Sequence, residues 1–167
     1  MTKIDKTIAK SEGTAINVIT ENNCNVDNTR KALSDVFKNV TMAQDAIKNL
    51  LPYVSNQEIT HALHKQVEQY DVFVENLNSL CKNLNFRPTP APKMSLMMAS
   101  MGIKMKMIKN KSITHVAKIM LQGTLNGIID LYRIIRQNED MHPDAMLVAK
   151  KILRFEEGRL EEMKGWL

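Results

Sequence analysis

The amino-acid sequence predicts an all-α bundle of four long helices, with a shorter helix inserted between the second and third. Three observations predict it. Apolar residues recur at spacings of three and four along four separate stretches, the period of one helical face. Only 6 glycines and 5 prolines punctuate 167 residues, too few for the turns of a β protein. No stretch alternates apolar and polar residues as a half-buried strand would. The length suits one ordinary domain, and 44% hydrophobic with 25% charged residues is a globular balance rather than a disordered or collagen-like one.

Residues 1–27 are mixed polar, with a short apolar cluster at Ala15–Ile19. They read as a loosely held, disordered arm or a short helix ahead of a single bundle domain over 28–167. Asp27 and Asn28 are both suited to cap the first long helix. Its stripe is Leu33, Val36, Val40, Ala43, Ile47, Leu50 and Val54, and Pro52 ends or bends it. Ser55-Asn-Gln-Glu58 has the capping-box pattern and opens the second helix. There the stripe is Leu63, Val67, Tyr70, Val74, Leu77, Cys81 and Leu84, a spacing suited to antiparallel neighbours at a shallow angle. Arg87-Pro-Thr-Pro-Ala-Pro92 stops all helix and makes a stiff link, long enough to cross a bundle end.

Residues 94–111 form the inserted helix, with Met94, Met98, Met101 and Met105 on one face. Ser112 can cap the third long helix, about 113–137. That helix is apolar around most of its circumference, from Val116 and Ala117 to Ile134 and Ile135, and is therefore expected to be the most buried. Gly123 and Gly127, four apart, suggest the close approach of a neighbouring helix. Pro143 suits the first turn of the last helix, which continues through Met146, Ala149, Leu153, Leu160, Met163 and Leu167.

The formal charge is +5, and it is unevenly spread. Residues 1–90 hold 10 basic and 10 acidic side chains, whereas Lys93–Lys118 holds six lysines and no acid, together with 6 of the 12 methionines. This basic segment has no aromatic residues for stacking and no recognition motif around it, so nucleic acid is not an expected partner. Cys24 and Cys81 match no metal or redox spacing, and a lone disulfide would be an unusual staple for a chain of this size. No apolar run follows Met1, and no stretch reaches the ~18 apolar residues of a spanning helix. The expected protein is soluble and cytoplasmic. No glycine-rich phosphate loop and no Ser/His/Asp or Cys/His grouping is present, so no catalytic residue is assigned.

Three segments, Val36–Leu51, Ala117–Leu131 and Ile152–Leu167, resemble helices of the ferritin-like superfamily. Gln122-Gly-Thr-Leu-Asn-Gly-Ile-Ile-Asp130 and Phe155-Glu-Glu-Gly-Arg-Leu-Glu-Glu-Met-Lys164 carry the likeness, which covers roughly 28–167. The resemblance implies a ferritin-like four-helix bundle with a short extra Met-rich helix. The chain is also similar to small bacterial proteins of the kind found in clostridia, which share the Pro-rich link and Met-rich insert and bring no activity with them. Metal-active ferritin-like proteins take one Glu from each of two helices and Glu-x-x-His from each of the others. Here Val40-Thr41 and Gly123-Thr124 stand where the resemblance would put single carboxylates. Glu156 is followed three residues later by Arg159, a fixed cation, and Glu68-x-x-Asp71 lies off the apolar stripe. The resemblance therefore implies no intact di-metal centre, and no metal ligand or cofactor is assigned.

Four further groups are weighed on their own chemistry. His61, His64 and Glu68, extended by Glu58, share one side of the second helix. They read first as a solvated face and second as a surface zinc site. His115 and His142 stand near helix starts, where a polar ring is unremarkable. Glu156 occupies the stripe position between Leu153 and Leu160 and so points inward, where a carboxylate needs a cation, a donor such as a tyrosine, or a proton. The methionine stripe reads first as core or oligomer contact, and otherwise as a soft-metal or oxidant-sensitive site or a membrane-surface helix. The expected role is a non-catalytic structural or interaction module, homo-oligomeric through exposed Met and Leu surface. One alternative is a metal-binding or redox protein using Glu156 or the His61/His64/Glu68 row. Another is a peripheral binder of anionic membrane surfaces through Lys104–Lys111.

Overall fold

The computed structural model describes residues 24–110 and 112–167, the side chains of 108 and 109 excepted. Expectations about residues 1–23 and Lys111 lie outside the described residues. Among the described residues five α-helices follow one another: α1 (Val26–Leu50), α2 (Gln57–Asn83), α3 (Lys93–Lys109), α4 (Ile113–Gln137) and α5 (Pro143–Lys164). A 3-10 turn, Leu51–Tyr53, follows α1 at Pro52. No helix among the described residues is long and apolar enough to cross a membrane.

Four of the five helices start where backbone N–H groups find side-chain acceptors, α3 following Pro92 without one, and two of those starts differ from expectation. Asn25, not Asp27 or Asn28, caps α1 by accepting from the Asn28 N–H at 3.0 Å. Asn56, not Ser55, caps α2 by accepting from the Ile59 N–H at 2.9 Å. Asn and Ser are nearly equal as caps, so the choice falls to whichever residue leaves the stripe in register. Ser112 caps α4 as expected, accepting from the His115 N–H, and Pro143 opens α5 behind a His142 cap. The end of α2 is closed by Asn85 at φ 55°. Phe86 N–H donates to the Cys81 carbonyl and Asn85 N–H to that of Lys82, the Schellman arrangement that usually calls for glycine or asparagine.

Hydrogen bonds between helices give the chain direction. Asn28 of α1 donates to Asp140, and His142 N–H donates to Thr29 Oγ1 at 2.8 Å, so the α4–α5 turn sits on the start of α1. Further along, Asn39 of α1 donates to the Gly127 carbonyl of α4 at 3.1 Å. Thus α1 and α5 run one way and α2 and α4 the other. A chain that goes up, down, down and up must cross the bundle once, and residues 84–92 followed by α3 are that crossing. Thr89 N–H donates to Ser34 Oγ and Ser100 Oγ to Asn49 Oδ1, laying α3 alongside α1 in the same direction. One long crossover between the second and third bundle helices is the connectivity of ferritin-like bundles. The fold is an all-α ferritin-like bundle with an extra helix in its crossover.

The core lies between the four long helices, with Leu33, Val36, Leu63, Tyr70, Leu131 and Ile152 among its buried members. Three expectations are corrected here. The helix expected to be most buried, α4, leaves Leu125, Ile129 and Tyr132 exposed, because packing on α1 and α5 covers only part of a circumference. Gly123 and Gly127 do not mark a tight helix crossing. A Cβ on Gly123 would meet nothing within 4 Å, and one on Gly127 only the Asn39 amide at 3.7 Å. The methionine stripe, read as core or oligomer contact, is not core. Met94, Met97, Met98, Met101 and Met105 are each more than half exposed, while Met107 is the one buried residue of α3 among those whose side chains are described. The two cysteines are free.

The two asparagine caps are separable from the serine expected to cap α2. Asn56→Ala is expected to lower unfolding free energy by about 1 kcal/mol in urea melts, whereas Ser55→Ala leaves the midpoint unchanged.

Candidate functional site

Four buried polar side chains, one of them an acid, line the same space within the bundle. Glu156 of α5 is 1% exposed, and so is Gln66 of α2. Between them stands Tyr70, one helical turn beyond Gln66 on the same face of α2. The Tyr70 hydroxyl donates to Glu156 Oε1 at 2.5 Å and accepts from Gln66 Nε2 at 3.1 Å. Phe155 packs edge-on against Tyr70 and Phe73, with ring centroids 5.5 and 5.2 Å apart. These rings make the α2–α5 contact and hold the phenol over the carboxyl. Thr124 of α4 is the fourth.

The acid is thus held by a donor rather than by a cation. Arg159, the cation three residues on, forms its ion pair with Glu162. Burial pushes the Glu156 carboxyl up to about 7, against the lowering effect of the Tyr70 hydrogen bond and of the Arg159 charge. Burial, with the carboxylate beside it, also drives the Tyr70 phenol well above its ordinary value, so Tyr70 remains a donor at every physiological pH.

This cluster is the floor of a cavity of about 440 Å³ bounded by α1, α3 and α4. Ile47, Leu50 and Met120 wall its buried depth, and the exposed Met42, Ala99, Lys106 and Gln122 stand at its mouth. Small residues keep it open: Ala43, Ala46 and Ala99, with Gly123 and Gly127 on α4. Three buried side-chain oxygens lack a protein partner among the described residues, Asn39 Oδ1, Gln66 Oε1 and Glu156 Oε2, and all three residues line this one cavity. Each such acceptor costs about 1–3 kcal/mol if left unmet.

The other candidate positions are elsewhere. His61, His64, Glu68 and Glu58 are all exposed on α2. Among the described residues, no three His, Cys, Asp or Glu side chains converge in a way that could hold a metal ion. Of the positions where the resemblance put ligands, Val40 is buried and Thr41 bonds to its own helix at Phe37. Asp71 takes the Gln44 amide at 2.6 Å. His115 Nε2 lies 3.2 Å from the Lys106 carbonyl. Sequence reasoning found Glu156 and the tyrosine donor as a type. It missed Gln66, whose place four residues before Tyr70 was the available signal.

No protein-family model matches this chain, and no curated protein matches it. Among solved structures it is similar to the crystal structure of a Dps protein from Vibrio cholerae O1, described as a member of a broad superfamily of ferritin-like diiron-carboxylate proteins. The two are 12% identical over 86% of this chain and 92% of that one, with a TM-score of 0.47. At that level the likeness adds nothing to what the helix order already establishes.

The raised Glu156 carboxyl makes stability depend on pH. Between the ordinary carboxyl value of 4.5 and about 7, the folded chain binds the extra proton, so stability is highest at the acid end and falls as pH rises through that window. The loss is on the order of 3 kcal/mol above pH 7. Glu156→Gln still accepts from Tyr70 and carries no charge. The difference in urea-unfolding free energy between this variant and the native chain is expected to grow in the variant's favour from pH 5 to pH 8. Tyr70→Phe leaves Glu156 Oε1 and the Gln66 amide unpaired, and is expected to cost about 1–3 kcal/mol for each lost bond, more at pH 8 than at pH 5.

Proposed function

We propose that this chain is a non-catalytic helical-bundle module that works through protein contact and self-associates along α3. The observation that carries the reading is the exposed methionine face. Met94, Met97, Met98, Met101 and Met105 follow helical spacings of three, one, three and four, so they share one side of α3, each more than half exposed. Unbranched thioether side chains fill irregular apolar gaps and suit contact surfaces, and a contiguous apolar patch of this kind marks an interaction site. The opposite side of the same helix turns inward through Ile103 and Met107, with Ala99 exposed, so the outward face is free for a second copy.

The exposed Lys104 and Lys106 near the end of the methionine face favour a second reading, a peripheral helix on an anionic surface. The metal-binding alternative has less to draw on. Glu156 is the one buried carboxyl among the described residues, and it already holds Tyr70.

Sedimentation velocity at micromolar concentration is expected to show a dimer or larger assembly. The double variant Met98→Lys/Met101→Lys is expected to weaken self-association at least about tenfold, roughly 1.4 kcal/mol, with helical content unchanged. A native chain that stays monomeric at high micromolar concentration contradicts self-association. Salt-sensitive cosedimentation of that monomer with anionic vesicles would transfer the face to the membrane reading.

A further inference from the structure

We propose that the cavity between α1, α3 and α4 binds a small amphipathic amine, its ammonium group on Glu156 and Gln66 and its apolar body along α1 and α4. This goes beyond the interaction role and uses the other side of α3. The first argument is chemical sign. Asn39 Oδ1, Gln66 Oε1 and Glu156 Oε2 are acceptors without a protein partner, and all three residues line the cavity. No buried donor on a lining residue is left without one among the described residues. A site that offers acceptors and no free donor selects a ligand that brings donors, and an ammonium brings three together with a charge.

The orientation of these acceptors follows from the hydrogen-bond chain. The Tyr70 hydroxyl spends its only proton on Glu156, so the Gln66 group that meets the phenol oxygen must be its NH₂. Its carbonyl oxygen is therefore the end left over. Glu156 likewise commits Oε1 to Tyr70 and retains Oε2. Charge at the rim does not oppose the reading, since Lys106 of α3 and Asp130 of α4 both line the cavity and carry opposite signs. Of the lining residues, only Glu156 is a charged group in the buried depth.

Shape and polarity agree with the same ligand class. Small-molecule sites are mostly apolar clefts with a few fixed polar groups, on the order of 300–1,000 Å³, and about 440 Å³ is available here. Ile47, Leu50 and Met120 provide an apolar depth for a hydrocarbon body. Open space beside Gly123 leaves room at the mouth.

Isothermal titration calorimetry of the full chain at pH 8, with n-hexylammonium, 1-hexanol and hexanoate as probes of equal body and different head, tests the proposal. The amine is expected to bind at one site per chain, at least about tenfold more tightly than the alcohol, and hexanoate not at all. Glu156→Gln is expected to weaken the amine at least about tenfold and leave the alcohol unchanged. Gly123→Leu, which places a side chain in the open space, is expected to weaken both. Should Glu156→Gln lose helical content, the head-group comparison on the native chain and Gly123→Leu still decide. Equal binding of amine and alcohol, amine affinity unmoved by Glu156→Gln, or no heat from any probe would overturn the proposal.

Discussion

A carboxyl group buried on the inner face of α5 constrains much else in this bundle. Glu156 takes a stripe position that a leucine would ordinarily fill, and an acid in that place must be protonated, paired or given donors. The chain supplies a phenol from the facing helix. Tyr70 can reach Glu156 only if α2 and α5 are set apart by the width of a ring, and Phe155 and Phe73 fill that width edge-on. The α2–α5 spacing, the direction of the Gln66 amide and the open space beneath α3 are then parts of one arrangement. The residual burial cost shows in the carboxyl, which rises to about 7 even with the Tyr70 bond in place.

Much of the architecture was legible in the sequence, because amphipathic helices announce themselves by period. Of the α1 stripe, Leu33, Val36, Val40, Ile47 and Leu50 are buried as read and Ala43 and Val54 only partly, and α4 spans Ile113–Gln137 as read. The inward aim of Glu156 followed from its place between Leu153 and Leu160. What failed did so for identifiable reasons. In α2 the buried face is Ile59, Leu63, Gln66, Tyr70, Phe73, Leu77 and Cys81. Reading by apolarity preferred Val67 and Val74 to their neighbours, because a glutamine looks like solvent surface until its partner is known. The caps were misplaced by one to three residues because Asp, Asn and Ser compete on nearly equal terms. Burial of α4 was overestimated, and the methionine stripe was left open between core and contact surface, because composition reports how apolar a helix is, and the number of neighbours decides how much of it is covered.

The crossover helix α3 joins the two surfaces of interest. Its position is forced by topology, since a chain running down α2 and again down α4 must climb in between. Ser34, Asn49 and the residues they bond then settle it against α1, where Ile103 and Met107 face the bundle and the other methionines face out. A helix held on one side by a few hydrogen bonds and modest apolar contact has little intrinsic facial preference. Its apolar residues are accordingly divided between a cavity wall and an exposed face, while the excess positive charge of the chain collects at its end.

The central claim is that Glu156 is an acid buried without an ion-pair partner among the described residues and supported by a single phenol. Its ionisation is measured most directly by the side-chain carboxyl carbon-13 shift of Glu156 followed by NMR across pH, with the Glu156→Gln spectrum assigning the resonance. The account predicts a midpoint near 7. A midpoint near the ordinary carboxyl value of 4.5 would mean that water or a cation reaches the carboxylate in the folded chain, and would contradict it.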